Sequence, residues 1–195
     1  MKTILLCSAL ALIALPIVAQ EKTLISGDIE SGGYGGPVLQ VTQINKQTAV
    51  LVGGVGGWII NHTIVLGGGG YGLVTDVTAK YPDPFYGSQY LSVGYGGLYL
   101  EYIASSDEVI HLSVGALIGA GNVGYKNQEM FSMNRSMDNF FVLEPNIQVN
   151  LNVTQFFRIS AGANYRWVTG VRNDITSDAD LSGPSGMLIL RFGMF

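Results

Sequence analysis

The sequence predicts an all-β fold, an eight-stranded antiparallel up-and-down barrel, and three observations support this interpretation. Apolar and polar residues alternate strictly over long segments, which is the period of a β-strand. After the first connection, the connections between these segments alternate between short and long, as in a meander with tight turns at one end. Glycine is abundant, with 27 among 195 residues, and each glycine inside a helix costs about 1 kcal/mol relative to alanine.

Residues 1–19 have the composition of a cleavable signal peptide. Lys2 supplies the positive charge at the amino terminus, and residues 4–18 form an apolar region that ends in small residues. Cys7, the only cysteine, lies within this segment, so we expect neither a disulfide nor a thiolate metal site in the mature chain. The remaining residues, 20–195, have the length of one domain.

The charge of the chain argues against one class of partner. It carries 10 lysines and arginines and 14 aspartates and glutamates, for a net charge of −4 at pH 7. Binding of a nucleic-acid backbone needs a basic face, so we expect no nucleic-acid partner.

The most glycine-rich stretch, residues 49–74, predicts two strands and a turn. Its clearly polar residues are Asn61, His62 and Thr63, which separate two apolar flanks. A single membrane helix over the same residues would contain nine glycines, which makes it very unfavourable. The turn interpretation avoids this cost.

The same pattern extends along the rest of the chain. The predicted strands are residues 30–44, 48–60, 64–75, 89–104, 109–125, 139–153, 156–171 and 186–195. The short connections are 45–47, 61–63, 105–107 and 154–155, and the long polar ones are 76–88, 126–138 and 172–185.

Alternation alone does not decide whether the apolar rows face lipid or a core, because a soluble lipocalin-like barrel alternates too. The lysines after the signal favour lipid, since all of them lie near the amino terminus, in a connection or at a strand end. They are Lys22, Lys46, Lys80 and Lys126. A barrel exterior in contact with water would carry lysines along its strands. We therefore predict a transmembrane barrel.

The polar rows of the strands supply the predicted interior network. Its members are Glu144, Asn146, Gln148, Arg158, Arg166 and Arg191. If Asn152 lies opposite Arg158 on the next strand, Glu144 lies opposite Arg166. We predict an ion pair between these two residues that helps to fill the narrow lumen.

Aromatic residues cluster near the predicted strand ends. The clusters are Phe140 and Phe141, Phe156 and Phe157, and Tyr165 and Trp167. They fit two interfacial girdles of a membrane barrel, although ordinary strand aromatics would also account for them.

Four segments carry a resemblance that extends over the mature chain. They read GGYGGPVLQVTQI, VGGWIINHTIVLGGGGYG, FFVLEPNIQVNLNVTQFFRISAGANYRWVTGV and LILRFGMF. They resemble the small eight-stranded outer-membrane barrels typified by the OmpA transmembrane domain. The resemblance is closer still to the short glycine-rich outer-membrane barrels of Gram-negative bacteria. It implies contact with outer-membrane lipid and export to that membrane, but no particular activity.

The resemblance also implies a role for the last residue. In such proteins the barrel assembly machinery reads a terminal phenylalanine, and Phe195 occupies that place. Counting back in twos from Phe195, Arg191 interrupts the expected apolar row. Pro145 is a second irregularity, and we expect a β-bulge there because proline cannot donate to the sheet ladder.

The sequence contains only weak matches to motifs for nucleotide binding, metal binding or catalysis. Residues 67–72 and 119–124 match G-x-G-x-x-G, but neither combines a following helix with the acidic residue of a dinucleotide site. His62 and His111 fall at the end opposite the long loops, without a carboxylate cluster. The acidic stretch 173–180 lacks the order of an EF-hand, so we expect a solvated loop there rather than a cation site. We predict no catalytic residue, cofactor or metal.

We expect a structural or surface-interaction protein of the outer membrane. Three alternatives remain open. The first alternative is a small barrel that binds an apolar ligand or passes it through a lateral opening near the second and third strands. The other two alternatives are a lipid-modifying enzyme with its site in the loops and a soluble lipocalin-like barrel.

Overall fold

The structure is a computed structural model that describes residues 30–80, 89–126, 137–172 and 175–195. The predicted signal peptide, residues 1–19, lies outside the described residues. So does part of each predicted long connection.

Eight antiparallel strands pair in chain order and close into a barrel, β1 against β8, so the predicted up-and-down topology is confirmed. The strands are β1 Ser31–Ile44, β2 Gln47–Ile60, β3 Ile64–Leu73, β4 Leu91–Ile103, β5 Ile110–Tyr125, β6 Asp138–Asn152, β7 Phe157–Thr169 and β8 Gly183–Met194. A short helix, α1 Asp178–Leu181, precedes β8. Among the described residues, no helix is long and apolar enough to cross a membrane.

The region before β8 differs most from the sequence-based prediction. The prediction placed the start of β8 at residue 186, but the strand begins at Gly183, which pairs with Arg166 of β7. The prediction also left α1 inside a connection. This helix forms because Ser177 caps it, accepting a hydrogen bond from the Asp180 backbone N–H at 3.2 Å.

The expectation of a β-bulge at Pro145 is wrong. The β6–β7 ladder is interrupted there but keeps one register, with Leu143 opposite Trp167 on one side and Asn146 opposite Asn164 on the other. The missing N–H of Pro145 therefore leaves a gap in the ladder, and no extra residue is inserted.

The two rows of each strand face opposite sides of the barrel wall. Val149 and Trp167 point outward and are 48% and 62% exposed, whereas Gln148 and Arg166 point inward and are 1% exposed. The polar rows therefore line the interior, as predicted. Phe140 was assigned to an interfacial girdle, but it lies in an inward row at 3% exposure, so that assignment is wrong.

The barrel has two different ends. The short-turn end contains the start of β1, the turns after β2, β4 and β6, and the carboxyl terminus of the chain. At the loop end, apolar residues of the inward rows pack with residues of the adjoining loops. The buried residues there include Ile44, Ala49, Leu51, Val77, Leu91, Val123, Val142, Val168, Ile175 and Leu181. The segment that contains α1 therefore covers the loop end of the lumen.

Candidate functional site

An ion pair crosses the lumen between residues near the short-turn ends of β4 and β8. The Arg191 guanidinium on β8 donates to both carboxylate oxygens of Glu101 on β4, at 3.0 and 2.8 Å. The hydroxyl of Tyr34 also donates to Glu101, at 3.0 Å, and Arg191 donates to Oε1 of Gln148 at 2.6 Å. All four residues are buried. A charged pair in this environment needs such additional hydrogen bonds to offset the loss of water.

The second interior carboxylate, Glu144, is held by neutral groups. Gln40 Nε2 and Asn164 Nδ2 each donate to its Oε1 at 2.8 Å, and the Tyr95 hydroxyl donates to its Oε2 at 2.6 Å. These partners come from β1, β7 and β4. Glu144 therefore links the barrel wall at three places and is itself 2% exposed.

The predicted ion pair between Glu144 and Arg166 is absent, although the register that placed them opposite each other is confirmed by the pairing of Asn152 with Arg158. Arg166 instead donates through Nε to the carbonyl of Leu181 at 2.8 Å. Its Nη1 and Nη2 have no hydrogen-bond partner among the described residues. The prediction failed because Arg166 extends toward the loop end, where α1 provides an acceptor.

The two remaining amides of the predicted network also lie inside the barrel. Gln148 Nε2 donates to Asn146 Oδ1 at 2.6 Å and to the Tyr99 hydroxyl at 2.9 Å. Together with the contact of Gln148 to Arg191, this connects the amides to the ion pair of Arg191 and Glu101.

The third arginine, Arg158, lies near the short-turn end. Its guanidinium carbon is 4.0 Å from the ring centroid of Phe195, and the Phe195 ring stacks on Tyr34 at 6.0 Å between centroids. Arg158 Nη2 reaches the Ser106 carbonyl at 3.4 Å. Arg158 lies opposite Arg191 on the neighbouring strand β8, and its side chain contacts the Ser106 turn and Phe195.

The sequence-based prediction did not name several residues of the interior network. The missed residues are Tyr34, Gln40, Tyr95, Tyr99, Glu101 and Asn164. A signal for Glu101 was available, because it continues the same row of β4 as Tyr95 and Tyr99 and is the only charged residue in that strand.

The acidic residues at the loop end bind groups of the chain itself. Asp180 accepts hydrogen bonds from the Lys80 ammonium at 2.8 Å and the Ser177 hydroxyl at 2.6 Å. These two contacts hold the pKa of the Asp180 carboxyl below its usual range. The Asp178 carboxylate accepts the backbone N–H groups of Gly170 and Val171. These carboxylates fix the connection between β7 and β8.

Both histidines lie at the short-turn end. His62 Nε2 is 2.7 Å from a carboxylate oxygen of Glu30, and both side chains are exposed. His111 Nδ1 is 3.0 Å from the carbonyl of Glu108. Among the described residues, no group of three or more His, Cys, Asp or Glu side chains is arranged to hold a metal ion.

Two solved structures with a similar fold are small eight-stranded outer-membrane barrels. Neisserial surface protein A (NspA) superposes with a TM-score of 0.56 at 11% identity, covering 86% of this chain and 99% of that one. The N-terminal barrel of Pseudomonas aeruginosa OprF gives 0.52 at 13% identity, covering 84% and 97%. The chain has the fold of a small eight-stranded outer-membrane barrel. No family model matches the sequence, and no curated protein matches it.

The directions in which the side chains of the last strand point explain why Arg191 breaks the apolar row counted back from Phe195. Arg191 belongs to the inward row of β8, and Phe195 continues that row just past the end of the strand, so the arginine does not interrupt an outward row. The outward row instead contains Leu188, Phe192 and Met194, which are 42%, 47% and 74% exposed. The outward row of β8 is thus uniformly apolar toward its end.

Proposed function

We propose that the protein is an integral outer-membrane barrel with a structural or surface-interaction role and a lumen closed to ions. The main support for this proposal is that the outer face of the barrel is apolar and the inner face is polar. Leu112, Ile147 and Val149 point outward at about half exposure, while the charges of Arg191 and Glu101 point inward. Water would leave the apolar exterior unfavourably exposed, whereas a bilayer accommodates it and the closed ladder satisfies the backbone.

The contents of the lumen support a closed barrel rather than a pore. Arg191 meets Glu101 from the opposite wall, and Glu144 meets Gln40 of β1, which lies three strands away around the barrel. Eight strands leave an interior that side chains can fill. The α1 segment adds a cover at the loop end through the bond from Arg166 to Leu181.

The alternatives have less support. A lateral opening near β2 and β3 would need a break in the pairing there, but the ladders that join these strands to each other and to β1 and β4 are continuous. A soluble lipocalin-like barrel would have its apolar rows inside. For a loop-borne enzyme, both histidines are at the wrong end. We assign the chain no reaction and no cofactor.

Cell fractionation and conductance measurements test the two parts of the proposal. The protein is expected in the outer-membrane fraction, with a gel mobility that differs between heated and unheated samples. In a planar bilayer it is expected to show no stable channel. Recovery in the soluble periplasmic fraction would refute the membrane location, and steady single-channel conductance would refute the closed lumen.

For assembly, we propose that the end of β8 is the segment that the barrel assembly machinery reads. It combines the outward row of Leu188, Phe192 and Met194 with the terminal Phe195. Deletion of Phe195 is then expected to reduce the amount of protein in the outer membrane more than refolding into detergent. Equal losses in the two experiments would mean that Phe195 acts only through its packing on Arg158 and Tyr34.

A further inference from the structure

A basin opens at the short-turn end of the barrel, below the interior network. It has a volume of about 850 Å³ and is lined by the turns at 61–63, 105–107 and 154–155, with Arg158 and Phe195 as its inner wall. Neither the closed lumen nor the apolar exterior needs such a basin. Its lining combines Arg158, Asp107 and His62 with several uncharged polar groups and an aromatic ring.

Arg158 supplies a cationic donor to the basin. It is 8% exposed, and its single hydrogen bond to a described residue is the long one to the Ser106 carbonyl. None of the ion pairs among the described residues includes it. Its guanidinium carbon lies over the Phe195 ring, 4.0 Å from the ring centroid. A guanidinium fixed in this way keeps most of its N–H groups available for a planar anionic partner.

Asn152 supplies an unused acceptor beside this donor. Its Nδ2 donates to the carbonyls of Ser106 and Glu108 at 3.1 and 2.9 Å, which fixes the orientation of the amide. Its Oδ1 is buried and has no partner among the described residues. Since a buried unpaired acceptor is unfavourable, a ligand with an N–H or O–H donor would stabilise this site.

We infer that the basin binds a carboxylate with a neighbouring N–H donor and an apolar side chain, as found at the carboxyl end of a peptide. The carboxylate pairs with Arg158, the N–H with Asn152 Oδ1, and the side chain packs on Phe195. Asp107, the one acidic residue of the described lining, disfavours a phosphate dianion more than a carboxylate monoanion. The site does not depend on whether the lumen conducts.

Titration of the purified protein in detergent tests the inference. The probes are N-acetylphenylalanine, its carboxamide, which lacks the charge but keeps the ring and N–H, and inorganic phosphate. We expect N-acetylphenylalanine to bind about tenfold or more tightly than either of the others, because a hydrogen bond to a charged group contributes more than one to a neutral group. The NMR signals of residues 105–107 and 154–155 should shift during the titration.

Two variants locate the site. Arg158→Gln should weaken binding of N-acetylphenylalanine about tenfold or more, whereas Arg172→Gln, at an exposed arginine of the loop end, should leave it unchanged. If Arg158→Gln does not fold, the NMR shifts of the unaltered protein decide whether the ligand binds at these turns. The inference fails if the carboxamide binds equally well, if Arg158→Gln binds as the unaltered protein does, or if the turn signals do not move.

Discussion

Arg191 and Glu101 lie on strands that face each other across the lumen and join the two walls by two hydrogen bonds, at 3.0 and 2.8 Å. Their side chains are 1% and 0% exposed. Tyr34 and Gln148 supply further bonds to the two charged groups. A buried pair of this kind determines which walls meet inside the barrel, and both charged groups are shielded from bulk solvent.

Removal of either member of this pair should therefore destabilise the barrel strongly. Glu101→Gln and Arg191→Gln are each expected to lower the free energy of unfolding by about 3–5 kcal/mol, because each leaves an uncompensated buried charge. The double variant should recover part of that loss. Urea unfolding in lipid vesicles measures the coupling through a double-mutant cycle. Arg172→Gln, at an exposed arginine, serves as the control, and additive effects would contradict the ion pair.

The outward row gives a second prediction, which tests whether the exterior of the barrel faces lipid. Val149→Arg places a charge on the exterior near the middle of the barrel wall and should cost about 2–4 kcal/mol in folding into vesicles. Gln155→Arg introduces the same side chain in an exposed turn and should fold almost normally. Asp178 is unsuitable as a control, because its carboxylate accepts two backbone N–H groups. Equal folding yields for Val149→Arg and Gln155→Arg would contradict a lipid-facing exterior.

Much of the barrel was predictable because a strand shows its two faces directly in the sequence. The alternation that assigned Gln148 inward and Val149 outward holds, as does the register that places Asn152 opposite Arg158. These relations are local, since they involve one strand or one tight turn. The same logic does not identify partners across the lumen. Arg191 and Glu101 are separated by 90 residues and meet only after the barrel closes.

The errors have related physical causes. Glu144 and Arg166 occupy opposite positions, yet long side chains extend along the lumen and Arg166 finds the carbonyl of Leu181. Phe140 was grouped with its outward neighbour Phe141 because aromatic clustering does not distinguish the two faces. The helix α1 has only four residues, too few for a periodic pattern in the sequence.

The glycines yield a third prediction, with a matched pair of positions. A Cβ atom at Gly121, on the inward side, would lie 2.5 Å from Phe140 Cζ, 2.5 Å from Tyr95 Cβ and 2.6 Å from the Gly94 carbonyl oxygen. Gly121→Ala is therefore expected to destabilise the barrel by about 1–3 kcal/mol. At Gly186, on the outward side, a Cβ atom would meet nothing within 4 Å. Gly186→Ala should be neutral or slightly stabilising in the same urea titration.

The loop end gives the last prediction, which concerns pH. Asp180 connects three parts of the loop end: its carboxylate binds Lys80 and Ser177, and its backbone carbonyl accepts the N–H of Asn45 at 3.2 Å. Since the Lys80 and Ser177 hydrogen bonds lower the pKa of Asp180, the folded loop end favours the ionised carboxylate over the protonated acid.

A lowered pKa fixes the direction of the pH effect. An aspartate in an unfolded chain has a pKa of ~3.9, so the stabilisation by Asp180 is complete above that pH and is lost as the pH falls through the lower pKa of the folded state. The backbone NMR signals of Asn45 and Leu181 should therefore remain constant from neutral pH down to about 5 and change at more acidic pH. Asp180→Asn should remove this dependence, whereas Asp107→Asn, in an exposed turn at the other end of the barrel, should preserve it. If Asp180→Asn retained the acid transition at Asn45, a different carboxylate would be responsible for closing the loop end.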